Sequence, residues 1–111
     1  MYLEQRIYLT GGLLEAQKSV SYYNIAGNRW EDAPDMNEGR HNHSSCVNGD
    51  RIFVLGGENN NGSVETYQID GQSWSLIAAA SELTKRFYAA AAALDRNNII
   101  VWGGVQRSED E

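Results

Sequence analysis

One cysteine, one proline and no apolar run of membrane-spanning length define this 111-residue sequence by what it lacks. A lone thiol, Cys46, cannot close an internal disulfide, so a reducing, cytoplasmic compartment is the expectation. No stretch approaches the roughly 20 consecutive apolar residues that a membrane-crossing helix needs. The opening MYLEQRIYLTGG lacks the charged-then-apolar order of a secretory signal. Basic residues are scarce too: 9 Lys and Arg stand against 15 Asp and Glu, a formal charge of -6. That balance argues against unspecific binding to nucleic acid or anionic membranes, which need clustered positive charge. Two Asn-x-Ser sequons, beginning at Asn42 and Asn61, are read as chance matches.

What is present is turn-forming and aromatic. Hydrophobic residues at 41% and charged residues at 22% describe a globular chain of the size of one ordinary domain. Beside the single proline stand 11 Gly, 6 Tyr and 3 Trp, a mixture that suits many short strands better than helices.

The sequence repeats internally, at a period that signals a repeat architecture. Gly-Gly occurs at 11–12, 56–57 and 103–104, in steps of 45 and 47. RIYLTGG (6–12), RIFVLGG (51–57) and NIIVWGG (98–104) align apolar on apolar. SVSYYNIAGNRW (19–30) lies over SVETYQIDGQSW (63–74) without a gap. Each unit reads as four strands. The first, HNHSSCV (41–47), turns through Asn48-Gly49, a hairpin signal, into RIFVL. The loop ENNNG leads to SVETYQI, and Asp70-Gly71 turns into the fourth strand near Trp74. Two-residue turns at Asp70-Gly71 and Ala26-Gly27 set Tyr67 opposite Trp74 and Tyr23 opposite Trp30.

A Gly-Gly doublet after an apolar strand, then Tyr, then Trp, resembles the kelch repeat, whose unit is about 50 residues. Gly11-Gly12, Gly56-Gly57 and Gly103-Gly104 match the doublet; Tyr23/Trp30 and Tyr67/Trp74 match the aromatic pair. Arg40 and Arg86 sit where many kelch repeats carry an arginine just before the first strand. The resemblance implies an all-β fold: consecutive four-stranded antiparallel blades of a β-propeller. Within a single kelch segment, 1–111, residues 1–39 would be a partial blade of three strands, 40–84 a complete blade, and 85–111 a partial blade of two. Nine strands are about two and a quarter blades, and propellers close with about 4–8. An incomplete ring is the expectation: a fragment of a longer propeller, or a chain whose open faces other chains or subunits cover. The run Ala89–Ala93 has high helix propensity, yet the repeat register places it on the first, innermost strand of the third unit.

Candidate chemistry is sparse. His41-x-His43 near Cys46 invites a metal reading, because alternate residues of a strand share a face. No third ligand stands at a regular spacing, so neither metal nor cofactor is expected. Cys46 lies mid-strand without a nameable base and reads as an inert thiol. The resemblance places the loops before the first strand and between the second and third on one rim, which often holds a protein partner. Arg40, Asn42, Arg86 and Tyr88 are the candidates there, with Asn60, Leu13 and Leu14 in the second class of loop. The competing reading of the arginines is structural, with guanidinium donors serving loop carbonyls between blades. For the two leucines it is ordinary packing. The acidic end RSEDE (107–111) reads as an interaction tail or, more simply, as the corresponding loop of the third unit.

The function expected is a non-catalytic scaffold that binds another protein through rim loops, with no nucleic acid or membrane partner. The resemblance implies substrate recognition for a ubiquitin ligase or attachment to cytoskeletal proteins. The rivals are a fragment of a galactose-oxidase-like propeller enzyme whose catalytic residues lie elsewhere, and a structural subunit of an assembly.

Overall fold

Short segments rich in β-branched and aromatic residues, each with one face to bury, favour strands over helices. The computed structural model describes residues 5–12, 17–57, 63–78, 86–87 and 89–106, and among them there is no helix. In chain order the strands are β1 (Arg6–Thr10), β2 (Val20–Asn24), β3 (Arg29–Ala33), β4 (Ser44–Asn48), β5 (Arg51–Leu55) and β6 (Val64–Gln68). There follow β7 (Ser73–Ala78), β8 (Arg86–Phe87), β9 (Ala90–Asp95), β10 (Asn98–Trp102) and β11 (Val105–Gln106). They form sheets in the orders β1-β2-β3, β4-β5-β6-β7, β9-β10 and β8-β11. Every pairing between these strands is antiparallel. The architecture is all-β and open, as the repeat arithmetic requires; the short β8–β11 ladder is an addition to the nine expected strands.

The predicted aromatic registers hold, with Tyr67 opposite Trp74 and Tyr23 opposite Trp30. Their ring centroids lie 5.0 and 5.4 Å apart. The turns that set them differ from expectation. Residues 69–72 and 25–28 form four-residue loops, and the positive φ falls on Gln72 (54°) and Asn28 (53°) rather than on a glycine. A four-residue loop centred where the two-residue loop was expected leaves the pairing unchanged. In the second repeat the Gln72 amide closes it on the Gln68 carbonyl at 2.8 Å. The first hairpin of the second sheet turns at Gly49-Asp50, because Asn48 pairs with Arg51. Gly49 alone takes positive φ there (67°), which suits a turn with glycine first. The first strand also starts later than expected, at Ser44, because Asn42 adopts φ 55° and interrupts the extended run.

Packing follows the repeat. Val20, Met36, Ile52, Val54 and Tyr67 form the core between the first and second sheets, with Tyr8, Ala33, Ile69 and Trp74 against it. Trp74 Nε1 donates to the Pro34 carbonyl at 2.9 Å. Equivalent positions diverge sharply. Ile52 and Val54 are 2% and 0% exposed beneath the first sheet, whereas Ile7 and Leu9, at the same places in β1, are 56% and 60% exposed. Covering each such side chain is worth about 1.5–3 kcal/mol, so the outer face of the first sheet is left with unspent burial.

The alanine run is a strand. β9 packs alongside β4, and Ser44 Oγ donates to the Ala89 carbonyl at 2.9 Å. Small side chains let the two strands approach closely, and this tertiary demand overrides helix propensity.

Close approach is most severe at Gly11. Its φ is +76°, and an added Cβ would lie under 3.0 Å from the Arg40 carbonyl oxygen and from His43 Cε1. At Gly49, φ +67°, nothing lies within 4 Å of that point. Gly49→Ala therefore carries only the left-handed penalty, about 1–2 kcal/mol. Urea unfolding should show Gly11→Ala destabilising by roughly 2 kcal/mol more than Gly49→Ala; equal losses would contradict the tight packing at Gly11.

Candidate interaction rim

The segment 34–43 carries the chain from the first sheet to the second, and its polar groups converge on one buried point. Met36 anchors it: its side chain is in the core and its amide donates to the Lys18 carbonyl at 2.9 Å. The next two amides, Asn37 and Glu38, donate to Glu65 Oε1 and Oε2 at 2.7 and 3.0 Å. Glu65 is on β6, and its side chain is 0% exposed.

Arg40 completes the arrangement. Its guanidinium, also 0% exposed, donates through Nη2 to Glu65 Oε2 at 3.1 Å. Nη2 also reaches Ser63 Oγ at 2.7 Å, while Nη1 donates to the Gly56 and Ser63 carbonyls at 2.9 and 2.7 Å. The Ser63 hydroxyl in turn donates to Glu38 Oε2 at 2.5 Å. The Arg40 backbone serves the other sheet. Its carbonyl accepts from the Gly12 and Gln17 amides at 2.8 and 3.3 Å, and its amide donates to the Gln17 carbonyl at 2.9 Å. One residue thus fixes the roots of two loops, those after β1 and after β5. A guanidinium suits the task because its planar donors reach several acceptors at once.

The sequence candidates fall as follows. Arg40 faces the loop carbonyls from within and offers no exposed surface. Asn42, half-buried, sits at the positive-φ kink that follows. The Arg86 backbone pairs with Gln106 on the β8–β11 ladder. Leu13, Leu14, Asn60 and Tyr88 lie outside the described residues. Sequence reasoning missed Glu65, Glu38 and Ser63. The signal was available: Glu65 replaces Ser21 of the preceding repeat, a charge introduced mid-strand between the matched Val64 and Tyr67.

The histidines do not form the alternating pair that a metal reading assumed, because Asn42 breaks the strand between them. His43 Nε2 lies 2.7 Å from Thr10 Oγ1 and ties β1 to the second sheet. Burial, then the charge of Arg40 and the neighbouring His41, pushes the His43 pKa down to about 4, so its ring is neutral at pH 7. Burial also raises the Cys46 thiol, which disfavours the reactive thiolate. Among the described residues no three His, Cys, Asp or Glu side chains gather as a metal site, and no helix is long and apolar enough to cross a membrane.

Successive antiparallel sheets, one of four strands, packed face to face and joined by a loop that clamps its neighbours, are blades of an open β-propeller. Residues 39–79 match the family described as Kelch motif, and the chain is a kelch-repeat chain. It is 27% identical to alpha-scruin of Limulus polyphemus over 99% of this chain and 13% of that protein. It is 33% identical to Kelch-like protein 6 of Homo sapiens over 92% of this chain and 16% of that protein. An F-box/kelch-repeat protein of Arabidopsis thaliana is 28% identical over 86% of this chain and 22% of its own length. The chain thus spans less than a quarter of each of these relatives.

Two predictions follow from the geometry. Breaking a buried ion pair by removing one partner costs about 3–5 kcal/mol. Arg40→Met and Glu65→Gln should each destabilise on that scale, and the double variant should fall short of their sum by roughly 0.5–3 kcal/mol. Additive losses in denaturant unfolding would mean that the pair is not coupled. The second concerns acid. Between its folded value of about 4 and its ordinary value of 6.5, His43 binds its proton more readily in the unfolded chain. Its stabilisation is therefore complete above pH 6.5 and declines as the pH falls to 4, by about 3 kcal/mol at most. Unfolding measured across this window should show a shallower pH slope for His43→Gln than for the parent; identical slopes would exclude His43 as the source.

Proposed function

We propose that this chain is a non-catalytic scaffold for protein–protein interaction, acting in the cytoplasm through the rim on which the Arg40 knot sits. The carrying observation is the knot. It immobilises Gly12, Gln17, Gly56 and Ser63, the flanks of two loops, and leaves the sequence between each pair free to differ. Leu13 and Leu14 in one loop and Asn60 in the other are the proposed contact residues, with Asn42, Arg86 and Tyr88 on the segments leading into the first strands. Arg40 is assigned the supporting role, holding the rim from beneath. The proposed units are 1–39, 40–84 and 85–111, each one blade or part of one.

Support also comes from the F-box/kelch-repeat relative, whose name joins kelch repeats to another module. On that analogy the finer reading is recognition of a substrate for a ubiquitin ligase, with attachment to cytoskeletal proteins as the second possibility. Recognition would rest on shape and polar complementarity, with a few anchoring side chains carrying most of the affinity.

A combined Leu13→Ser, Leu14→Ser, Asn60→Ala variant tests the rim while sparing the knot. Affinity capture followed by mass spectrometry should show the proteins enriched on the parent chain reduced roughly tenfold on the variant. The circular dichroism and unfolding midpoint should be unchanged. Equal capture by the two would overturn the rim assignment.

A further inference from the structure

The antiparallel order of the strands puts the β4–β5 and β9–β10 hairpins at the far end of the sheets from Gly56 and Ser63. There the two hairpins are latched together: Asn48 Nδ2 donates to the Asp95 and Arg96 carbonyls at 3.0 and 3.3 Å. Beside the latch opens a cleft of about 470 Å³, lined by Asn48, Gly49, Asp50, Arg51, Phe53 and Arg96. Arg51 and Arg96 are exposed, and among the described residues neither forms an ion pair. The carboxylate in the lining, Asp50, is engaged elsewhere, its Oδ2 accepting from Gln68 Nε2 at 2.9 Å. Half-buried Phe53 adds an apolar wall. Two uncommitted guanidiniums therefore meet in one concavity of a chain whose formal charge is -6.

We propose that this cleft binds an acidic peptide segment of a partner protein, a Glu or Asp carboxylate lodging between Arg51 and Arg96 with an adjacent aliphatic side chain against Phe53. Guanidinium pairs with carboxylate through two parallel hydrogen bonds and is weakly hydrated, so it surrenders water readily on binding. The cleft accommodates a few side chains, and the negative charge of the surrounding chain repels an extended polyanion such as nucleic acid. A short segment whose few carboxylates alternate with aliphatic side chains meets the local positive field with much less of that penalty. The proposal rests on reading the chain as a protein-binding module, but it locates a second contact, away from the rim.

The probe is a fluorescein-labelled, end-capped hexapeptide of alternating glutamate and leucine, with the lysine–leucine counterpart as control. Anisotropy should show saturable binding of the acidic peptide to the parent chain, weakened by added salt. Arg51→Gln combined with Arg96→Gln should weaken it at least tenfold; both residues are exposed, so the fold is preserved. The Leu13→Ser, Leu14→Ser, Asn60→Ala variant should bind as the parent does. No saturable binding, equal binding of the lysine peptide, or arginine variants within twofold of the parent would each refute the cleft. Loss of the peptide in the rim variant alone would also refute it and leave protein binding at the rim standing.

Discussion

Everything in the first two sheets turns on a buried charge pair that is expensive to hide. Desolvating a guanidinium and a carboxylate costs several kcal/mol per ion, and mutual attraction alone seldom recovers it. The Arg40–Glu65 pair offsets the loss through the company it keeps. Glu65 accepts two backbone amides as well as the guanidinium, and Arg40 spends its terminal nitrogens on two carbonyls, a hydroxyl and the carboxylate. Without the pair the two amides and two carbonyls would each lose a partner, and for a buried group that has no other the penalty is comparable to a lost hydrogen bond. The ions therefore serve as the solution to a backbone problem created where one sheet hands over to the next.

The same handover explains why the units stack. Each of the first two sheets has apolar side chains on both faces, and neither can bury both alone. In the second sheet Ile52 and Val54 disappear beneath Tyr8 and Val20 of the first and Met36 of the connecting segment; in the first sheet Ile7 and Leu9 are more than half exposed. Sequence identity between the units is thus a statement about complementary faces. What a residue contributes depends on whether a neighbouring unit is present, not on its own local sequence.

That dependence also sets what could be read in advance. The period, the strands, the Tyr–Trp registers and the β conformation of Ala90–Ala93 were legible, because each follows from alignment of one copy with another. Turn geometry was not. Gln72 and Asn28 take the positive φ that the preceding glycine seemed to announce, and only the hydrogen-bond closure over four residues reveals it. Arg40 was visible as a repeated residue, and serving loop carbonyls between blades was one of its two readings; its other acceptors, the Ser63 hydroxyl and the Glu65 carboxylate, were not foreseen. Glu65 was hidden because it lies where the repeats disagree, and a search for agreement passes over it.

The division between what repeats and what differs has a mechanical consequence for the rim. GGLLEAQKS and GGENNNGS share their glycines and a serine, the positions at or near the clamped roots, and almost nothing between. A loop whose roots are fixed by backbone hydrogen bonds loses most of its closure entropy to the scaffold, so the remaining cost depends little on which side chains it carries. Arg40, Glu65 and the described core residues all lie outside these two stretches. The opposite end of the sheets has no such freedom: the Gly49-Asp50 turn is short, needs a positive φ and adjoins the hairpin that Asn48 grips. Chemical variety is therefore inexpensive on one side of this fold and constrained on the other. A surface meant to distinguish partners is most economically placed where changing a side chain does not change the frame.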